Sequence, residues 1–431
     1  MIARYILPEM GALWSEESKF RAWLRVEIEA AKAMAHYEMI PARAAAAIEK
    51  KARFDVAEIN RIEKETNHDV IAFTTNVGSY IGDDAKYLHF GLTSSDVVDT
   101  ALSFLLKQAA DIIDKKIDKA LKEVKKLALK YKDTRCIGRT HGVLAEPTTA
   151  GLKFAVWFTE LKRGHNRFAA ASENIAVGKL SGSVGNFANV DPKIEDFVCR
   201  RMGLTPAEVS TQVVQRDRHA GFITSLALLG TSLEKFCTEI RNLQRTEIGE
   251  MYEGFAKGQK GSSSMPHKKN PITAERICGI ARLLRGYSIS AMENMVLWHE
   301  RDIAHSSVER VIIPDSTILI DYALQKFIEL LQGLVVNEKR MLENIYYKGG
   351  IVFSQRLLLK LTQAMDSREQ AYKIVQNHGL AALESDRPFR ELVLTDKVIG
   401  KYLKKADIEK CFEIDYYLQN VDKIFKRVFG K

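Results

Sequence analysis

Proline is scarce, with 9 in 431 residues, under half of its usual share of about 5%. That excludes a chain of short, heavily punctuated elements and favours long uninterrupted helices. Cysteine is rarer still, with 5 residues. Cys136, Cys199, Cys237, Cys278 and Cys411 are odd in number, scattered and without CxxC spacing. They read as reduced thiols of a cytoplasmic protein and exclude a disulfide or zinc framework. No apolar run approaches the ~18 residues that a membrane span needs. The opening MIARYILPEMGALW has no basic region followed by a long apolar core, so no secretion signal is expected. Zinc-finger spacing, an aromatic RNA-binding signature and a dense basic tail are all missing. The net charge of +9 therefore points to a basic surface or an anionic small-molecule substrate before nucleic acid.

What is present is ordinary for a globular protein, 46% apolar and 28% charged, on a chain long enough for two or three domains. Residues 1–92 are mixed. Phe20, Trp23, Leu24, Ile28, Ala31 and Met34 mark one side of a helix, and Thr66 or Asn67 is placed to cap another. From Val97 the pattern lengthens. Ile113, Ile117, Ala120, Val124, Leu127 and Tyr131 step by four and three, and residues 97–131 as one helix would span ~50 Å. Two further seams follow, one from Phe222 to Leu243 and one through Ile277, Ile280, Leu284, Tyr287, Ala291 and Met295. Residues 135–149 read as a loop, and residues 180–192 as a loop or a short hairpin. The expectation is an all-α protein with three helical domains: 1–92, a central long-helix bundle at 93–341, and a C-terminal domain at 342–431. Helices this long exceed what one modest domain needs, which suggests a bundle shared in a homo-oligomer.

The seams are interrupted by KGQKGSSSMPHKKNP, residues 257–271. Asn270 and Pro271 are a good helix start. A well-capped connector explains those two residues, but not Ser262, His267 and Lys268. A glycine-containing segment leading to a helix N-terminus suits an anion, although the GxxxxGK[ST] order of a P-loop is absent. His68, His89 and His141 stand in polar stretches at helix ends. One such histidine is more often structural or solvated than catalytic; three together point to one assembled site. Thr93, Ser94, Ser95 and Asp96 supply more capping groups than one helix requires, and a helix N-terminus also binds carboxylate or phosphate. His299 and His305 lie six apart, off the HExxH spacing, so a metal site is not expected there. Arg301 and Arg310 suit phosphate or carboxylate.

GSSSMPHKKNP closely resembles the signature of the fumarase/aspartase superfamily. HFGLTSSDVVDTA and RTHGVLAEPTTAG resemble its adenylosuccinate lyase branch, as does His267 after Pro266. The likeness runs from Arg4 to at least Arg310. The one departure noted is Asn67, where some relatives carry Arg, which puts a direct contact by residue 67 in question.

The resemblance implies a homotetramer whose active sites are each built from three subunits, with no metal or organic cofactor. It implies elimination of fumarate from adenylosuccinate, leaving AMP, and from the succinyl-aminoimidazole carboxamide ribotide. Ser262 is then the base, His141 the acid, and Lys268 a stabiliser of the dianionic intermediate. Glu275 pairs with the acid histidine, and His68 supports the acid or binds phosphate. Substrate contacts are implied for Arg4, Tyr5, Asn67, His68, Asp69, His89, Thr93 and Ser94. They are implied further for Gln212, Ser263, Lys268, Asn270, Arg301, Ser306 and Arg310. The 257–271 stretch is expected to close as a lid over the shared site. Two rival readings are a related lyase acting on another succinyl-type substrate, and a non-catalytic helical assembly protein. The first conflicts with the TSSDVVD and RTHG motifs. The second conflicts with the presence of Ser262, His141 and Lys268 together.

Overall fold

The computed structural model describes residues 1–255, 258 and 264–430. Long helices dominate, as the shortage of proline predicts. After α1 (Glu16–His36), α2 (Val56–Thr66) and α3 (Asp69–Ile81) come five long ones. These are α4 (Ser94–Lys130), α5 (Ala150–Ile175), α6 (Asp217–Leu243), α7 (Ile272–Glu293) and α8 (Ala304–Gln332). The 37 residues of α4 extend over ~55 Å at ~1.5 Å per residue. Shorter helices, including Ser354–Ala364 and Arg368–Glu384, fill the C-terminal part.

The chain forms two compact units. The first comprises Met1–Ala120, Leu161–Lys235 and Arg276–Phe327; the second comprises Leu121–Glu160, Phe236–Glu275 and Ile328–Lys431. Each of the five long helices contributes residues to both. In the first unit Phe20 stacks on Phe73 at 5.9 Å, with Trp23 edge-on to Phe73 at 5.5 Å. The α4 and α6 seams are buried along their whole length. The α7 seam is not: Ile277, Ile280, Leu284 and Ala291 are buried, whereas Met295, past the helix end, is 48% exposed. Beside it Leu283, Ile289, Met292 and Val296 are exposed too, which leaves an apolar face uncovered in the single chain.

In the second unit a core of Phe353, Leu357, Leu361, Phe389 and Phe412 takes in Ile137. Ile137 belongs to a hairpin, and here the structure corrects the reading of 135–149 as a loop. Strands β1 (Arg135–Thr140) and β2 (Val143–Thr149) pair antiparallel, with an irregularity between Ile137 and Arg139. β-branched Ile137, Thr140, Val143, Thr148 and Thr149 favour the pleat, while Gly138, Gly142 and Pro147 disguise it as loop. Two short pairings complete the strands among the described residues: Val177–Gly178 parallel to Thr205–Pro206, and Met251–Tyr252 antiparallel to Val335–Val336.

The hairpin hands the chain to α5 through Gly151, where backbone approaches backbone. A Cβ there would lie 2.5 Å from Lys132 Cα and 2.6 Å from Ala128 O, at the end of α4. Main-chain atoms cannot rotate away, so Gly151→Ala is expected to destabilise the protein by about 1–3 kcal/mol. A lowered denaturant midpoint at unchanged slope is the readout.

Candidate active site

In the first unit the polar residues gather at helix ends. Asn67 closes α2 in the left-handed conformation (φ 50°), a role Asn tolerates well. His68, and not Thr66 or Asn67, caps α3: its Nδ1 accepts from Ile71 N at 3.3 Å, which leaves Nε2 as the N–H nitrogen. Asp69 then opens the helix. Its Oδ2 accepts from Arg310 Nη2 at 2.6 Å, so α3 and α8 bring His68, Asp69 and Arg310 together. Ser306 precedes Arg310 by one turn, and both line a cavity of 310 Å³ with Lys19, Trp23 and Glu309. Burial, and then Arg310, lower the pKa of Lys19. At the N-terminus Arg4 is exposed, while Tyr5 rests edge-on against Tyr322 at 5.2 Å.

His89 is held by Glu27. Its Nδ1 lies 2.6 Å from Glu27 Oε1, and its backbone N–H donates to Oε2 at 3.0 Å. Burial opposes the imidazolium, but the hydrogen bond and charge of Glu27 outweigh it and raise the pKa above its ordinary value.

Thr93 and Ser94 begin α4 beside a buried network. Asp96 Oδ2 accepts from Thr93 N at 2.8 Å, one half of a capping box. Its Oδ1 accepts from Lys179 Nζ at 2.6 Å and from the amides of Ser181 and Gly182. Gln212 Oε1 accepts from Arg301 Nη1 at 3.0 Å. One turn along α4, Asp99 holds Arg216 through both oxygens, and Arg216 also grips Glu309, the neighbour of Arg310. Lys179 pairs with Asp96, and Arg216 is shared by Asp99 and Glu309, so each buried charge has a partner, as burial requires.

In the second unit His141 and Gly142 form the two-residue turn of the hairpin, with φ of 55° and 79°. Positive φ at both positions marks a type I′ turn, whose twist matches the strands. The turn leaves His141 exposed at the tip. The strand behind it is anchored by Arg139, which donates to the fully buried Glu250 at 2.6 and 3.1 Å; Asn344 donates to the same carboxylate at 2.6 Å.

Ser262 and Ser263, with residues 257 and 259–261 of the expected lid, lie outside the described residues. Lys268 and Glu275 are exposed. Helix α7 begins at Ile272, one residue later than expected, with Glu275 N donating to Pro271 O. Its N-terminus is already occupied. The buried Glu253 accepts from Thr273 N at 3.1 Å and Ala274 N at 2.5 Å. Gln244 accepts from Glu253 N and donates to Lys269 O at 2.9 Å. An anionic ligand therefore does not take these two amides.

Sequence reasoning missed Lys179, Arg216, Glu250 and Glu253. None lies on an apolar stripe, and each owes its burial to partners distant in the chain. Chemically, the first unit offers cationic and hydroxyl donors suited to an anionic ligand, and the second offers a proton-transfer group on a rigid turn.

A family model described as Lyase matches residues 5–286, and one described as Adenylosuccinate lyase C-terminus matches residues 350–428. The chain is 51% identical over 433 residues to an adenylosuccinate lyase of Aquifex aeolicus, covering 100% of this chain and 99% of that one. It is 50% identical over 428 residues to an adenylosuccinate lyase of Bacillus subtilis, with 99% of each covered. Among solved structures, a fumarate lyase from Mesorhizobium sp. BNC1 superposes with a TM-score of 0.90 at 25% identity, covering 100% of this chain and 99% of that one. A 3-carboxy-cis,cis-muconate lactonizing enzyme from Pseudomonas putida does so with 0.90 at 27% identity, covering 99% and 97%.

The network beside α4 generates a pH prediction. Burial pushes the Glu195 carboxyl up to about 7, although its Oε2 accepts from Leu180 N at 2.6 Å. A raised carboxyl makes the native state bind the extra proton. Its contribution is full below the ordinary value of 4.5 and is lost as pH rises through about 7. Glu195→Gln should match the wild type near pH 4–5 and exceed it by roughly 1–3 kcal/mol at pH 8. Denaturant unfolding at the two pH values measures the difference.

Proposed function

The chain belongs to the adenylosuccinate lyase family, carbon–nitrogen lyases of the fumarase/aspartase superfamily, and from this premise we propose how its residues release fumarate from adenylosuccinate and leave AMP. The observation that carries the reading is the likeness to adenylosuccinate lyases along the whole chain, at 51% identity. The succinyl-aminoimidazole carboxamide ribotide is the second substrate in this proposal, cleaved by the same elimination.

The reaction removes a proton from the carbon beside a carboxylate, and the electron pair moves into a dianionic aci-carboxylate. The carbon–nitrogen bond then breaks, fumarate forms, and the departing nitrogen takes a proton. Ser262 is the base, made competent by the positive field of Lys268 and backbone N–H groups, which also steadies the aci-carboxylate with Asn270. His141 is the acid. Its exposed place at the tip of an anchored turn supports that role, because the ring is free to meet a ligand while its backbone is fixed. Glu275 pairs with it. His89, biased towards the cation by Glu27, suits the substrate phosphate, as do Arg301 and Arg310.

The assembly in this proposal is a homotetramer of subunits with N-terminal (1–92), central (93–341) and C-terminal (342–431) helical domains. The uncovered apolar face along α7 supports it, and the sites are shared between subunits. A cytoplasmic location accords with five buried cysteines that are not joined in disulfides. Separately, no described helix is long and apolar enough to cross a membrane.

Incubation with adenylosuccinate should yield AMP and fumarate in equal amounts, and absence of both products overturns the function. Ser262→Ala and His141→Gln should each lower kcat by about 10²–10⁴ while leaving substrate affinity within a few-fold. Near-normal turnover in either variant removes that residue from its role. Mixing and reassembling the two inactive variants should regain turnover if one site draws on different subunits; no regain in mixed tetramers contradicts the shared site.

A further inference from the structure

The side chain of Lys179 is fully buried, and the reaction as written gives it nothing to do. Its Nζ lies 2.6 Å from Asp96 Oδ1, 2.8 Å from Gln212 O and 3.2 Å from Gly182 O. An ammonium has three N–H groups and no acceptor, so these contacts saturate it. The three acceptors come from three separate segments: the first turn of α4, the Gly- and Ser-rich stretch after Lys179, and the stretch that leads to α6. The lysine backbone is fixed as well. Thr100 Oγ1 donates to its carbonyl at 2.8 Å and accepts from its N–H at 3.0 Å.

Two of the three segments carry proposed substrate contacts. Asp96, through its other oxygen, fixes the backbone of Thr93 beside Ser94. Gln212 orients Arg301 with its side chain while its carbonyl is held by Lys179. A buried ion pair alone is weak evidence for anything beyond packing, because apolar residues of similar volume often serve as well. What apolar residues cannot do is fix two ligand-bearing segments to one point. Arginine cannot replace the lysine either, since its planar fork does not converge three N–H groups on one centre.

We infer that Lys179 is a positioning residue for substrate binding, setting the Thr93–Ser94 turn and the Gln212–Arg301 pair at a fixed separation. The inference rests on the lyase reading above. Lys179 touches no substrate in this role; it keeps two halves of a binding surface in register before the substrate arrives. Its loss therefore raises KM and leaves the chemical step nearly intact.

The test compares wild type, Lys179→Met, the double variant Lys179→Met/Asp96→Asn, and Lys116→Met on adenylosuccinate, with the thermal midpoint of each. The double variant removes both buried charges, and keeps the question answerable if Asp96 left alone prevents folding. Lys116 is a control, since it pairs with the buried Asp321 at 2.5 Å and holds none of the proposed substrate-contact segments. The expected result is a KM raised by about ten-fold or more, with kcat within about three-fold, in the folded Lys179 variants. Lys116→Met should lower the midpoint and leave KM unchanged. A wild-type KM in either folded Lys179 variant overturns the inference. A fall in kcat at constant KM overturns it too. So does unfolding of both Lys179 variants alongside a folded Lys116→Met, which would make the lysine purely structural. If the wild type itself yields no fumarate, the lyase reading fails, which is a different outcome from any of these.

Discussion

The first two turns of α4 carry two buried carboxylates, and the polar architecture of the first unit depends on their being paired. Asp96 collects Lys179 and the amides of Thr93, Ser181 and Gly182. Asp99 collects Arg216 and the amide of Val214, and Arg216 passes the connection to Glu309 on α8. Stripping an ion of water costs several kcal/mol even after relaxation, and only good geometry with further hydrogen bonds repays it. The helix N-terminus adds a favourable field for Asp96, in its first turn. The stretches at 179–182 and 212–214 that meet α4 here have no regular secondary structure of their own to fix them. They are held because leaving either carboxylate unpaired would cost more than ordering the chain around it.

The second unit follows the same logic with glutamates. Glu250 clamps the strand that leads to His141, and Glu253 occupies the first free amides of α7. These two carboxylates stand three residues apart in the chain, ahead of the signature stretch, and act on different elements: one on the hairpin, the other on the helix that follows the stretch. Because Glu253 already satisfies Thr273 N and Ala274 N, negative charge on a ligand has to be met by side chains and by other amides. That narrows what the helix start contributes: it fixes the C-terminal anchor of the signature stretch and does not itself cradle the ligand.

The long helices were legible because burial on one side imposes a period, and α4 and α6 bury their seams in full. The same signal overran at Met295, since a stripe reports that a face is apolar, not whether the chain itself covers it. The hairpin escaped for the opposite reason. Its turn uses His where Asn or Asp is usual, and its glycines and proline imitate a loop, so only the pairing of β1 with β2 reveals it. His68, Asp69, Thr93 and His141 were legible as motif residues. Lys179 was not: it is one lysine just before a Gly- and Ser-rich stretch, and its meaning comes from an aspartate 83 positions earlier. Motifs mark the groups proposed to meet the ligand, whereas the groups that hold them are marked only by contacts distant in the chain.

This division of labour has a physical basis. His89 is half-buried, and the carboxylate against it biases it towards the cation, which suits holding a phosphate. His141 sits at an exposed tip, and the carboxylate behind its strand is committed to Arg139 and Asn344. The single chain thus fixes where the His141 backbone is and leaves its surroundings to water. Proton transfer to a leaving nitrogen gains most from preorganised dipoles in a water-excluded site. In the proposed mechanism, that exclusion has to come from whatever covers the tip when substrate is bound. The hairpin accordingly needs rigidity more than burial: a turn with positive φ at both positions, a core anchor at Ile137 and a buried ion pair at Arg139 supply it. In that mechanism a flexible tip would lose the orientation on which the proposed acid depends, and a buried one would be closed to the ligand.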